Sequence, residues 1–175
     1  MKRRNVILFI GIIVASIIST KSFADTNIDP KVTEIGTKEV ARIIKTIKDN
    51  PEFSMFYKAI DQAELAKEIA SLDKMTLMIP SNKAFKLLPA DVWENFMEED
   101  NKNALIELLN YHVIPKKVNY DDLKNADNLT TLKNQSVKLF HGTELKIENA
   151  VIQDKHEETS DVIIYKIDRL IMPLK

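Results

Sequence analysis

The side chains in this 175-residue chain that could do chemistry are few: three histidines, His112, His141 and His156, and several groups of carboxylates. Histidine moves protons and ligates metals near neutral pH, but only in the company of partners. His156-Glu157-Glu158 has the opening of a zinc-protease helix motif, which requires a second histidine where Ser160 stands, so the zinc reading fails on spacing. Asp161 and Asp168, with the clusters Glu98-Glu99-Asp100 and Asp121-Asp122, offer carboxylates for acid–base work or for calcium. None shows a calcium loop's alternating oxygen ligands around a central glycine, so they read as solvated surface and helix caps. There is no glycine-rich phosphate loop, no Gly-x-Ser-x-Gly elbow and no basic cluster interleaved with aromatics. The chain is expected to have no catalytic residue, no metal and no cofactor, and not to be an enzyme.

The most pointed residue is His112, set beside Tyr111 in the run Leu-Asn-Tyr-His-Val-Ile-Pro of residues 109–115. At a passage from helix to strand, a buried imidazole can donate to one backbone group and accept from another, which fixes a corner. His141 and His156 fall in expected loops, at no spacing that suggests a site shared with His112. A scaffold role for His112 is therefore expected, because buried polar groups are normally satisfied locally.

Around this corner the apolar pattern changes character. Val40, Ile43, Ile44 and Ile47 make one helical stripe that Asn50-Pro51 ends. Phe53, Phe56 or Tyr57, and Ile60 face inward from a second helix over residues 52–62, and Leu65 and Ile69 from a shorter one. Residues 75–79 form a buried strand closed by Pro80, after which Ser81 or Asn82 can cap a helix that buries Ala84, Phe85 and Leu88. Val92, Trp93 and Phe96 sit on another helical turn, and Asp100 or Asn101 caps a helix with Leu105, Leu108 and Leu109 inward. Beyond Pro115 the period becomes two: Val137 and Leu139, Leu145 and Ile147, then Ile163, Tyr165 and Ile167, with a hairpin turn at His141-Gly142. Helices first and strands afterwards predict an α+β domain, with helices packed along one edge of an antiparallel sandwich or wedge.

The ends and the composition bound the setting. Lys2, Arg3 and Arg4 before an apolar run at residues 6–18, with Ser22-Phe23-Ala24 after it, predict a signal peptide over residues 1–24. That run is too short to span a bilayer, and the chain has no cysteine to carry a lipid. Removal of 24 residues leaves 151, one domain, preceded by a flexible lead-in at 25–36. The leader takes four of the 25 basic residues and none of the 26 acidic ones, so the mature chain carries a formal charge of −5 and no general attraction to nucleic acid. Without cysteine, stability must come from packing alone. With Gly36 and Gly142 the only glycines after residue 24, tight turns must fall mostly on Asn and Asp. Asn128-Leu-Thr130 and Asn134-Gln-Ser136 match the glycosylation sequon and suggest exposed backbone near 125–136.

Three blocks together, residues 76–85 (Thr-Leu-Met-Ile-Pro-Ser-Asn-Lys-Ala-Phe), 108–115 and 163–173, resemble in order and spacing the three motifs of the fasciclin-like domain. The resemblance covers residues 37–173 and implies that residues 37–175 form one fasciclin-like domain, with adhesion as the family role. Two departures stand out. The Asn-Gly common before the family's last strand is Asp161-Val162, whose valine resists positive φ, so this turn must take another shape or lengthen. An integrin-binding Asp-Ile segment of animal members has no counterpart in residues 154–158, and that activity is not carried over.

The reading that results is an exported interaction module, periplasmic or extracellular, with no membrane span in the mature chain and expected to be a monomer. Its partner would be an envelope, matrix or host protein or glycan. Its candidate contact surface is Tyr111, His112, Lys116 and Lys117, with the 125–135 loop nearby. The alternative is a carrier or sensor of a small apolar ligand held between helices and sheet.

Overall fold

The computed structural model describes residues 41–172; the expected leader, lead-in and beginning of the first helix lie outside that range, as does Pro173. Residues 41–49 are helical (α1) and bury Ile43 and Ile47 completely. Asn50 then accepts a hydrogen bond from the Glu52 amide at 2.9 Å and starts a single turn of tighter helix, Pro51–Phe53. Proline suits this first position, where its missing N–H would have had no helical partner anyway. The chain continues as α2 (Ser54–Gln62) and α3 (Ala66–Ala70), which bury Phe56, Ile60 and Ile69.

Strand β1 (Met75–Pro80) follows, buried over its whole length. Helices α4 (Asn82–Phe85), α5 (Ala90–Met97) and α6 (Lys102–Asn110) come next. Trp93 of α5 meets the Phe85 ring edge-on, with centroids 4.8 Å apart. Two expected caps are absent. Ser81 and Asn101 occupy the cap positions of α4 and α6 without a capping side-chain bond, and both asparagines nearby reach elsewhere. Asn101 donates to the Asn95 carbonyl, while Asn82 receives the Met55 amide at 3.0 Å and donates to the Pro51 carbonyl at 2.8 Å. Asn82 thus ties the end of β1 to the beginning of α2.

The second half contains β2 (Val113–Ile114), α7 (Tyr120–Asn125), β3 (Asn128–Thr130), β4 (Ser136–Phe140), β5 (Lys146–Ile147), β6 (Ala150–Glu158) and β7 (Val162–Ile167). The seven strands lie in the order β2-β1-β7-β6-β5-β4-β3. All pairings are antiparallel except β1 with β7, which is parallel from Met75↔Val162 to Pro80↔Ile167. The α+β expectation holds, but the sheet is mixed, and it forms a single curling wedge instead of a sandwich of two separate sheets.

Because β1 and β7 are covered on both faces, their residues apart from Thr76 and Lys166 are apolar without alternation, as buried central strands require. Leu77, Ile79, Val162 and Ile164 join the core beneath the helices, with Phe53, Phe56 and Leu105. Met78, Ile163, Tyr165 and Ile167 point the other way, into a second core inside the curl with Val137, Leu139, Ile147 and Leu123. Each fully buried Leu, Ile or Phe contributes roughly 2 kcal/mol, and the two cores together supply the packing a cysteine-free chain depends on.

Turn chemistry departs from expectation. Positive φ falls on Asn134, as a glycine-poor chain should have it, but also on Glu64 and Glu148. Glu148 is held there by its own bonds to β4: its N–H reaches the Lys138 carbonyl at 2.8 Å and its carboxylate accepts the Lys138 N–H. The Ser160-Asp161 connection between β6 and β7 needs no positive φ, because the Thr159 hydroxyl accepts the Asp161 and Val162 amides at 3.3 and 3.0 Å. His156, expected in a loop, falls within β6, a strand made irregular by two register shifts between Ile152 and Glu157.

Candidate functional site

The three sequence blocks converge on the backbone of residues 112–118. His112 leaves the end of α6 with its imidazole buried, 1% exposed. Its Nδ1 lies 2.8 Å from the Leu108 carbonyl and its Nε2 lies 3.0 Å from the Ile171 amide. An amide can only donate and a carbonyl can only accept, so the ring is neutral with its proton on Nδ1. Burial holds its pKa down to about 4, against the pull of the Leu108 carbonyl. The Phe56 ring packs against it at 6.0 Å. Such a histidine is a bolt between the second and third blocks, with no free nitrogen for a proton relay or a metal.

The first block contributes Thr76, fully buried on β1. Its hydroxyl donates to the Lys116 carbonyl at 2.8 Å and accepts the Val118 amide at 2.9 Å. The third block contributes Tyr165, whose hydroxyl donates to the Val118 carbonyl at 3.2 Å. Burial, with the charges of Glu158 and Asp122 nearby, pushes that phenol up to about 12. Asp168 completes the pattern by accepting the Val151 amide through its carboxylate and returning its own N–H to the Val151 carbonyl at 3.2 Å. His112, Thr76 and Tyr165 thus bond to backbone, while Asp168 also faces Arg169 Nε at 3.9 Å and the buried Asn110 carboxamide has no partner among the described residues.

Of the four residues expected at a contact surface, Tyr111 and His112 are buried and cannot touch a partner directly. Tyr111 belongs to the core inside the curl. Lys116 is exposed, and Lys117 is half-buried, with its ammonium bonded to the Thr159 and Ser160 carbonyls at 2.6 and 3.0 Å and paired to Glu158 at 3.1 Å. The 125–135 loop does lie beside this segment. The Leu132 amide donates to the Val113 carbonyl at 2.9 Å, and a slot of about 300 Å³ opens between Ile114, Pro115, Lys116 and Asn128, Leu129, Thr130.

A second depression, about 340 Å³, lies where α7 crosses β6 and β7, floored by Ile163 and Tyr165 and walled by Tyr120, Asn119 and Gln153. Helix α7 was not apparent in the sequence, although Asn119-x-x-Asp122 is its cap: the Asn119 carboxamide accepts the Asp122 amide at 2.8 Å. Tyr120 leads that helix, with Lys124 4.6 Å from the centre of its ring. Among the described residues no three His, Asp or Glu side chains gather as a metal site would need. No helix there is long and apolar enough to cross a membrane.

A mixed, nearly closed sheet, helices on one side and a buried histidine joining three motifs define an α+β wedge domain built around a scaffold corner. Residues 51–173 match the family model of the Fasciclin domain, and the chain belongs to that family. It is similar to Protein sll1483 of Synechocystis sp., 26% identical over 144 residues that cover 81% of this chain and 79% of that one. It is also similar to Immunogenic protein MPB70 of Mycobacterium bovis, 27% identical over 131 residues, covering 71% and 65% of the two chains. Human Periostin is 24% identical over 148 residues, but the match covers only 17% of that longer protein. Among solved structures, the FAS1 domain pair of the insect cell adhesion molecule Fasciclin I shares the fold at a TM-score of 0.65 and 16% identity, covering 75% of this chain and half of that one.

Proposed function

We propose that this protein is an exported, single-domain adhesion module that binds a protein or glycan at the cell envelope or outside the cell, and that it is not an enzyme. The observation that carries this reading is the fasciclin match over residues 51–173, a domain found in an insect cell adhesion molecule. A corner in which His112, Thr76 and Tyr165 are bonded to backbone supports a binding scaffold over a catalytic one. Residues 1–24 act as the signal, residues 25–36 as a lead-in and residues 37–175 as the domain, which is a monomer in the periplasm or outside the cell. The contact face is the exposed Lys116 side of the corner and the 125–135 loop, with Lys117 at its rim. Tyr111 and His112 hold that face from below.

The test is binding of the purified mature chain to immobilised envelope and extracellular-matrix fractions, with its intact mass showing whether 24 residues are removed. Saturable binding at micromolar concentration supports the reading, and none at tens of micromolar counts against it. The depression beside Tyr120 favours a second reading, a carrier of a small apolar ligand. Native mass spectrometry of the protein from its own host would then find a stoichiometric small molecule bound.

A further inference from the structure

The sheet fails to close for a reason that can be read from its hydrogen bonds. On the side of β3 that faces β4, the Leu139 amide donates to the Asp127 carbonyl and the Thr131 amide to the Gln135 carbonyl, both at 2.8 Å. Antiparallel pairs alternate between bonded and non-bonded positions. Residues 127, 129 and 131 therefore face β4, and Asn128 and Thr130 turn their N–H and C=O groups the other way. Leu132 is the next residue of that outward set, and its N–H does find β2, at the Val113 carbonyl.

Carried one step further, this pairing would set Thr130 opposite Pro115, which has no N–H to give. Lys116 cannot replace it, because its N–H turns back onto the Ile114 carbonyl at 2.7 Å. The Lys116 carbonyl and the Val118 amide are already taken by Thr76. The segment after β2 is thus drawn toward β1, and the outward backbone groups of Asn128 and Thr130 have no partner among the described residues. Between the two edges lies the slot of about 300 Å³, with Ile114 and Leu129 buried at its sides and Asn128 and Thr130 exposed along its rim. Lys116 stands at its mouth, exposed and without an acidic partner among the described residues.

We infer that this seam is a strand-accepting site: an extended segment of a partner protein enters between β2 and β3, pairs with the backbone of Asn128 and Thr130, and sets an acidic side chain against Lys116. A row of unpaired amides and carbonyls on a sheet edge is matched chemically by another extended polypeptide, with main-chain bonds giving affinity and side-chain pockets giving selectivity. The positive charge at the mouth selects acidic segments among those that can extend. The inference rests on the adhesion reading and names the kind of partner that reading leaves open.

The experiment selects a displayed library of random heptapeptides on the immobilised mature protein and then scans the winners with N-methylated backbones. Expected are acidic, β-branched sequences of micromolar affinity, in which N-methylation at alternate residues weakens binding more than tenfold while the residues between tolerate it. Amide exchange at Asn128 and Thr130 should slow at least tenfold on binding. Thr130→Pro removes the outward donor and leaves the β4 side of the strand intact, so it should abolish binding at unchanged melting temperature, whereas Thr130→Ser keeps it. Should the proline variant not fold, the N-methyl scan still decides.

The seam proposal is overturned if no peptide is enriched, if N-methylation at every position is tolerated, or if a second copy of this chain occupies the seam as a dimer that Thr130→Pro dissolves. If wild type and Thr130→Pro adhere equally well to the immobilised envelope fraction, the seam is wrong and the adhesion reading stands. If peptides bind the seam and neither envelope nor matrix fraction does, adhesion fails separately.

Discussion

The two sides of β2 obey opposite rules. Toward β1, the strand and the loop after it are bonded at every turn: the His112 carbonyl accepts the Met78 amide at 2.9 Å, Thr76 holds Lys116 and Val118, and Tyr165 holds Val118 again. Toward β3, one bond from Leu132 to Val113 closes the seam, and beyond it the backbone of β3 is unmatched. Side chains drawn from all three family motifs lie on the first side. The difference separates what makes the fold from what the fold leaves available. Buried polar groups left unsatisfied cost stability, so Thr76, His112 and Tyr165 are spent on architecture, and the contact surface proposed above is left to the less distinctive residues next to them.

Perturbing each side should sharpen this contrast. The largest effect is expected from His112→Ala, which leaves a cavity and orphans the Leu108 carbonyl and the Ile171 amide; denaturant unfolding should show a loss of about 4 kcal/mol. A loss under about 1 kcal/mol would contradict its role as a bolt. Next comes acid. The folded pKa of His112, about 4, lies below the ordinary imidazole value of 6.5, so as pH falls the unfolded chain takes the proton first. The stability is complete above pH 6.5 and drains away toward pH 4, by roughly 3 kcal/mol in all. Comparing wild type with His112→Gln across that interval isolates the histidine's share, because the lowered carboxylate pKa values of Glu64 and Glu158 bring their losses in below the ordinary glutamate value of 4.5.

Thr76→Val keeps the shape and removes one hydroxyl that serves two backbone groups, for an expected loss of about 2 kcal/mol by thermal or chemical denaturation. Tyr165→Phe deletes a single neutral hydrogen bond and should lower stability by about 1 kcal/mol. At the far end of the series, Thr130→Pro on the open side of β3 should change stability by less than about 0.5 kcal/mol, since its N–H has no protein partner. An ordering in which Thr130→Pro costs more than Thr76→Val would dissolve the comparison.

Much of this architecture was legible because local pattern and tertiary role agreed. The stripes ending in Ile47, Ile60 and Leu109 do pack as helices, and residues 75–79 do form a fully buried strand. The scaffold reading of His112 followed from its having no partner histidine at a useful spacing, and the structure gives it two backbone partners. Helix α7 leaves little trace in the sequence because it buries only Leu123, too little for a periodic signal. Strand β6 is equally faint, because its register shifts break the alternation and its second half is charged. The parallel pairing of β1 with β7 has no local signature at all. Contact readings for Tyr111 and His112 failed for a related reason: polar groups inside an apolar run look the same whether they face a partner or a carbonyl. The seam depends on Pro115 meeting a strand that begins 13 residues later, a relation only the folded chain displays.

The parallel ladder from Met75↔Val162 to Pro80↔Ile167 also governs how the molecule is made. The β7-facing edge of the first half's central strand waits for a segment 87 residues further along (162 − 75) before it is covered, and contacts of such long sequence separation are slow to form. A ribosome that has delivered the helices has not yet delivered a foldable unit. The polypeptide therefore stays threadable until β7 has followed the helices, a timing that would suit the export proposed above.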